Sequence, residues 1–405
     1  MGFGLLLAAF LAMQAPDHAA EGMKALEARQ YEAALGHFEK AIEADPKDYA
    51  AHFHYALAAS MLERDAEAAA HYRKVLELKP GLYEAELNLG IVLVSQKQFA
   101  EAVTQLQAAC EQKPKELRPA YYLAEALFGA GEFADAEQRY QAATAIDPKY
   151  APAWVGLARA KARQGRLDEA AGDYRKASEA DPEYREALLE LADQYAAARE
   201  PKKAIEIYRE FPNHVAARER MGELLAQEGE LAAAIPPLEQ AVAQSPTTAN
   251  KVALAQAYLK TGEAAKGIKL LGEAVGAEPR DYDLRMLYGR SLRDQHAYPA
   301  AVREFVEATR LKPDAADAFS EVAVAAILME SYPLALQALD RVKALGAEKP
   351  GHIFFRAVVL DRTKQRKPAL EAYQQFLSVS GGSSPNEEFK ARQRVKVLQR
   401  ELARR

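Results

Sequence analysis

Proline recurs in this sequence at a fixed interval, and that interval limits the folds open to the chain. Pro46, Pro80, Pro114, Pro148 and Pro182 lie 34 residues apart. After a shorter step to Pro212 the series resumes at Pro246, Pro279 and Pro313. Small residues run in register with the prolines: Ala34, Ala68, Ala102, Ala136, Ala170, Ala204, Ala234, Gly267, Ala301, Ala335 and Ala369. Four positions after each comes a bulky residue: Phe38, Tyr72, Leu106, Tyr140, Tyr174, Tyr208, Leu238, Leu271, Phe305, Leu339 and Tyr373. A third column, upstream, is again small: Gly22, Ala56, Gly90, Ala124, Ala158, Ala192, Gly222, Ala255, Gly289, Ala323 and Ala357. A period of this length marks stacked supersecondary units, none of which can bury its apolar face alone.

Each unit reads as two amphipathic helices joined by a tight turn. In the fifth, Trp154, Leu157, Ala158 and Lys161 share one helical pattern. Gln164-Gly165-Arg166 breaks it, and Ala170, Tyr174 and Ala177 pattern a second helix. Asp181-Pro182 ends that helix, because the residue before proline is pushed out of the α region. The small columns let neighbouring helices approach closely, and the bulky residue one turn later fills the space beside that contact.

The motifs Trp154-x-x-Leu157-Ala158, Ala170-x-x-x-Tyr174 and Pro182, and Leu89-Gly90-x-x-Leu93 with Ala102, Leu106 and Pro114, resemble the tetratricopeptide repeat. Trp154 is the sole tryptophan, so that position of the motif is degenerate in the other units. The resemblance implies an all-α fold, a right-handed α-solenoid of stacked helix-turn-helix repeats. Eleven units fit between residues 15 and 383, with unit six (185–214) four residues short and unit seven (215–247) one short. Residues 384–405 remain as a basic C-terminal capping helix, with Phe389, Val395, Leu398 and Leu402 at near-helical spacing, beyond a Ser380–Ser383 stretch that reads as a flexible linker.

Residues 1–14 contain an apolar run, Phe3 to Met13, with the length of a signal-peptide core and too short for the roughly 20 residues of a membrane span. No Lys or Arg precedes it; the expectation is nevertheless a secretory signal cleaved near Ala15, and the alternative a segment packed on the first repeat. In unit six, Phe211-Pro212 cuts the second helix short, so a break in curvature is expected over 185–247. Pro236-Pro237 in unit seven belongs, on helix chemistry, within the first turn of its helix.

Little in the chain points to catalysis. The single cysteine, Cys110, excludes an intramolecular disulfide and any Cys-based zinc cluster. The sequence has neither a phosphate-cradling glycine loop nor a His-Glu-x-x-His motif. His52 and His54 are two apart on a helix, hence about 200° apart around its axis, and cannot share a metal from that helix. No cofactor is expected. Lys and Arg total 53 against 58 Asp and Glu, a formal charge of −5 that gives no reason to expect nucleic acid as a partner.

The resemblance implies instead a concave surface lined by the first helix of each unit, binding a protein or peptide. The second, fifth, sixth, ninth, twelfth and thirteenth positions of those helices would provide it. In units two to four these include Phe53, His54, Asn88, Tyr121, Tyr122, Glu125 and Phe128; in five to seven Arg159, Arg163, Glu190, Asp193 and Glu223; in nine Arg290 and Arg293. Aromatic anchors suit binding surfaces, the more so where a hydroxyl gives the ring a polar tip, and this makes Phe53, Tyr121 and Tyr122 the strongest of these. Family members that clamp a C-terminal carboxylate use a Lys and an Asn on one repeat, an Asn on the next and two basic groups on the third; in units two to four Asn88 and Arg118 match. Phe53, Leu57 and Tyr122 occupy the remaining places, a departure that argues against such a clamp. The expected function is a non-enzymatic scaffold, exported to a periplasm or the cell exterior and serving an envelope or secretion assembly. The alternative is a cytosolic adaptor or a regulatory subunit of an enzyme carried on another chain. The oligomeric state is not readable from these residues.

Overall fold

The computed structural model describes residues 17–403, so the expected signal segment, residues 1–14, lies outside the described residues. Those described form helices and turns in strict succession. First helices begin at Tyr49, Tyr83, Leu117 and Ala151 in repeats two to five, and second helices at Asp65, Phe99, Phe133 and Leu167. The same alternation runs from Val215 through the pair ending at Val379, each helix packing on the next. The chain parts into two compact units, one ending at Ile207 and the other beginning at Tyr208. In the first, one apolar core runs from Ala25 to Ala160.

The sequence columns are the two faces of one contact. A Cβ built on Gly22 would stand 2.6 Å from the Phe38 ring, and one on Gly289 2.6 Å from Phe305. At Gly222 it would stand 2.6 Å from Leu238. The bulky residue of the second helix therefore seats directly on the small residue of the first. Tyr72, Tyr140, Tyr174 and Phe305 are among the largest fully buried side chains.

A further column lies in the turn inside each repeat. Arg29, Glu63, Lys97, Gly131, Gly165, Arg199, Gly229, Gly262, His296, Glu330 and Lys364 all have positive φ. At Glu63 the geometry is a Schellman closure: the Glu63 N–H donates to the Ser60 carbonyl at 3.1 Å and the Arg64 N–H to Ala59 at 2.9 Å. Four of the eleven are glycine, which reaches this conformation without the steric cost borne by the other seven.

Repeat six departs from the pattern. A 3-10 turn, Pro182–Glu186, precedes its first helix, Ala187–Ala197, and its second, Pro201–Arg209, has nine residues where most others have fourteen. In repeat seven the expectation for the proline pair fails. Pro236 and Pro237 sit inside the helix Leu231–Gln244, beyond the first turn. The carbonyls deprived of a donor belong to Ala232 and Ala233, both exposed, so water can satisfy them.

The last helix, Pro385–Ala403, packs on Arg366–Val379 and buries Ala391 and Leu398. Phe389 is 62% exposed, contrary to the stripe drawn from the sequence. The buried line runs through Ala391, Val395 and Leu398, and Phe389 lies off it. The preceding Ser380–Ser383 stretch is a fastened turn rather than a loose linker: Ser380 is buried and the Gly382 N–H donates to Glu388 Oε1 at 2.7 Å.

Candidate functional site

In the first unit, five of the side chains expected to line the groove converge, Glu190 among them. Tyr121, Tyr122 and Glu125 from the helix Leu117–Ala130, and Arg159 from Ala151–Arg163, line one open cleft of about 610 Å³. The first two follow one another along the helix, and their rings meet edge to face at 5.2 Å. The Tyr121 ring also stands edge-on to Tyr150 at 5.1 Å. Tyr150, Tyr184, Glu183, Glu186 and Glu190 complete the polar lining, with Val94, Pro152, Val155 and Ala187.

The polar groups of this cleft hold one another in place. Arg159 Nε donates to Glu190 Oε2 at 2.8 Å, and its terminal nitrogen reaches the other carboxylate oxygen, a two-pronged pair that fixes both side chains. The guanidinium keeps the Glu190 carboxyl below its ordinary range. Glu125 accepts a hydrogen bond from the hydroxyl of Tyr140, whose ring is buried beneath the cleft. Burial, and then the Glu125 charge, raise the hydroxyl pKa values of Tyr121 and Tyr140, so both rings remain neutral donors across the physiological range.

The other expected residues fall elsewhere. Phe53 and His54 pack among Phe38 and Tyr72, with His54 stacked on Phe38 at 5.6 Å, and burial lowers the His54 pKa. Asn88 is half-buried beside Tyr72. Phe128 and Arg163 meet over a shared ring: Phe128 lies edge-on to Phe133 at 5.3 Å and the Arg163 guanidinium stands 4.7 Å above it. Asp193 is exposed on Ala187–Ala197. In the second unit Glu223 pairs with Arg220 at 3.3 Å and lines a separate pocket with Gln227 and Lys260. Arg290 and Arg293 converge on one carboxylate, Glu321, in a cavity of about 360 Å³ with Asp317, Lys349 and His352.

Tyr150, Tyr184, Glu183 and Glu186 escaped the sequence reading because they lie outside the first-helix positions on which it drew. A signal was present: Tyr150 and Tyr184 are 34 residues apart and close their respective repeats. What brings Glu183 and Glu186 to the cleft is the 3-10 turn peculiar to repeat six, where the Asp181 side chain accepts from the Glu183 N–H.

Comparison with known proteins agrees with the repeat architecture. Two family models, both described as tetratricopeptide repeat, match the chain. One covers residues 63–127 and 127–172. The other covers 7–83, 155–212, 207–249, 252–308 and 289–351. Among curated proteins none matches. Solved structures similar to part of the chain include MamA from Desulfovibrio magneticus RS-1, 23% identical with a TM-score of 0.40, covering 41% of this chain and 94% of that one. Another is YrrB, a TPR protein with an unusual peptide-binding site, 26% identical with a TM-score of 0.39, covering 44% of this chain and 95% of that one. With family models matching most of its length in tandem, the chain belongs to the tetratricopeptide-repeat family.

Proposed function

We propose that this protein is a non-enzymatic scaffold that holds a peptide or helix of a partner in the cleft of repeats four to six. The observation that carries this reading is the convergence of Tyr121, Tyr122, Glu125 and Arg159 in one open cavity large enough for several side chains. Neutral aromatic rings with polar tips, rigidly backed by buried tyrosines, suit a binding surface better than a reacting centre. Among the described residues no group of three His, Cys, Asp or Glu side chains could hold a metal ion. No helix there is long and apolar enough to cross a membrane. The apolar run Phe3 to Met13 supports export, and with it service in an envelope or secretion assembly.

The test is affinity capture of the full-length precursor expressed in its native host, followed by mass spectrometry. Partners retained by the wild type and lost by Tyr122→Ala, with unchanged far-ultraviolet circular dichroism, support the binding reading. Partners indifferent to that substitution refute it. The same spectra read the mature N-terminus: a new terminus near residue 16 supports export, and an intact Met1 overturns it.

A further inference from the structure

We infer that the cleft of repeats four to six selects a cationic side chain, arginine or lysine, on its partner peptide. The inference rests on the binding reading above and adds the chemistry of the ligand. Four carboxylates line the cavity, Glu125, Glu183, Glu186 and Glu190, against a single lining cation, Arg159, which is already engaged by Glu190. Arg118 acts on the Tyr150 hydroxyl from nearby but does not line the cavity, and Arg185 lies on the same 3-10 turn as the two outer glutamates. Glu183 and Glu186 are exposed on the wall of the cleft, so an incoming cation meets them before it is desolvated. An anionic ligand would be repelled by the same wall.

The aromatic lining points the same way. Tyr121, Tyr122, Tyr150 and Tyr184 offer rings whose faces carry negative potential. This protein already uses tyrosine faces to hold cations. Lys79 stands 4.4 Å from the Tyr49 ring centre, Lys113 3.7 Å from Tyr83 and Lys312 4.2 Å from Tyr282. In each case the lysine occupies one position of the 34-residue repeat, thirty residues after its tyrosine. At that position repeats four and five carry Asp147 and Asp181. Those aspartates are committed to the turns that deliver the cleft tyrosines, accepting from the Lys149 and Glu183 N–H groups at 2.9 Å. The repeats that build the cleft thus carry a carboxylate where those repeats carry the internal lysine, and Leu117 and Ala151 where they carry its tyrosine. The cleft's own tyrosines, Tyr121, Tyr122, Tyr150 and Tyr184, stand at other positions and line the cavity, with the cation to be supplied from outside.

The cavity of the second unit gives the contrast. There Arg290, Arg293, Lys349 and His352 face Asp317 and Glu321, and both arginines are spent on Glu321. Its lining carries no acidic excess.

The experiment is selection of a phage-displayed random dodecapeptide library on the full chain, in parallel with Tyr122→Ala and with the double variant Glu183→Gln, Glu186→Gln. Peptides enriched on the wild type and lost on Tyr122→Ala are synthesised with a fluorescein label and titrated by anisotropy. Arginine or lysine should be over-represented in them relative to the starting library. Their affinity should fall about tenfold on the double glutamine variant, and the difference should shrink as salt is raised. Site-dependent peptides that are acidic or purely apolar, or that bind the glutamine variant equally well, overturn the cationic inference and leave peptide binding standing. No enrichment on wild type over Tyr122→Ala overturns both. The two glutamates are exposed, so the glutamine variant tests the charge without disturbing the packed rings.

Discussion

Substituting Gly289 by alanine probes the contact that generates the repeat columns. The new Cβ would stand 2.6, 2.8 and 3.0 Å from three carbons of the Phe305 ring, against about 3.5–4.0 Å for an ordinary carbon contact. Phe305 is fully buried, so the ring cannot swing into solvent. Overpacking of this kind costs about 1–3 kcal/mol. Removing a glycine from a helix returns about 1 kcal/mol, so the net loss is at most about 2 kcal/mol, and it lies in the upper part of that range because the fully buried ring has nowhere to move. Repeats eight and ten show that leucine accommodates alanine at this contact: Ala255 with Leu271 and Ala323 with Leu339, both leucines fully buried. Phe305→Leu should therefore relieve Gly289→Ala, with a favourable coupling of about 1–2 kcal/mol in a double-mutant cycle. Long repeat arrays do not unfold as one cooperative step, so the readout is amide hydrogen exchange over the helices Tyr282–Asp294 and Tyr298–Leu311. Gly289→Ala should speed exchange there by roughly tenfold, since about 1.4 kcal/mol is a factor of ten. Unchanged or slower exchange, or a double variant whose effect equals the sum of the singles within about 0.5 kcal/mol, would refute the packing account.

The second repeat should weaken in mild acid. Burial, assisted by the neighbouring His52, lowers the His71 pKa to about 4, while Glu67 opposes the shift. His71 Nδ1 shares a 2.9 Å hydrogen bond with His52 Nδ1, and its ring stacks on Tyr55 at 4.0 Å. The folded pKa lies below the unfolded value of about 6.5. Stability is therefore intact above pH 6.5 and falls between there and pH 4, by about 1–2 kcal/mol after allowing for solvent screening. Hydrogen exchange of residues 49–78 at pH 7 and 5 checks this, and a pH response that His71→Gln leaves unaltered would sink it. In the turn column, Lys97→Gly should stabilise repeat three by about 1 kcal/mol and Gly262→Ala destabilise repeat eight by a similar amount, because both positions have positive φ. Local exchange in the two repeats reads the signs directly, and equal signs would contradict the conformational argument.

The sequence by itself determined the tandem helical-repeat architecture and the small-on-large contact between paired helices. Both follow from periodicity: a 34-residue spacing of Ala or Gly with a bulky partner encodes which faces meet, whatever lies around them. It also assigned Tyr121, Tyr122, Glu125 and Arg159 to groove positions of successive first helices, and the four line one cleft. Other features depended on contacts that one-dimensional spacing does not carry. The turn column was hidden because seven of its eleven positive-φ residues are not glycine, held there by Schellman closure rather than by their own preference. Phe389 was misassigned because its spacing fits a helix stripe one position away from the one that finds a partner, Ala391 and Leu398. Pro236 and Pro237 lie beyond the first turn of their helix, where the carbonyls they leave without a donor belong to exposed residues, Ala232 and Ala233, a circumstance the pattern of residues does not show. The acidic wall of the cleft was decided by tertiary structure alone. Only the tightening of Pro182–Glu186 into a 3-10 turn carries Glu183 and Glu186 across to the tyrosines of repeat four, and with them the charge that the cleft presents to a partner.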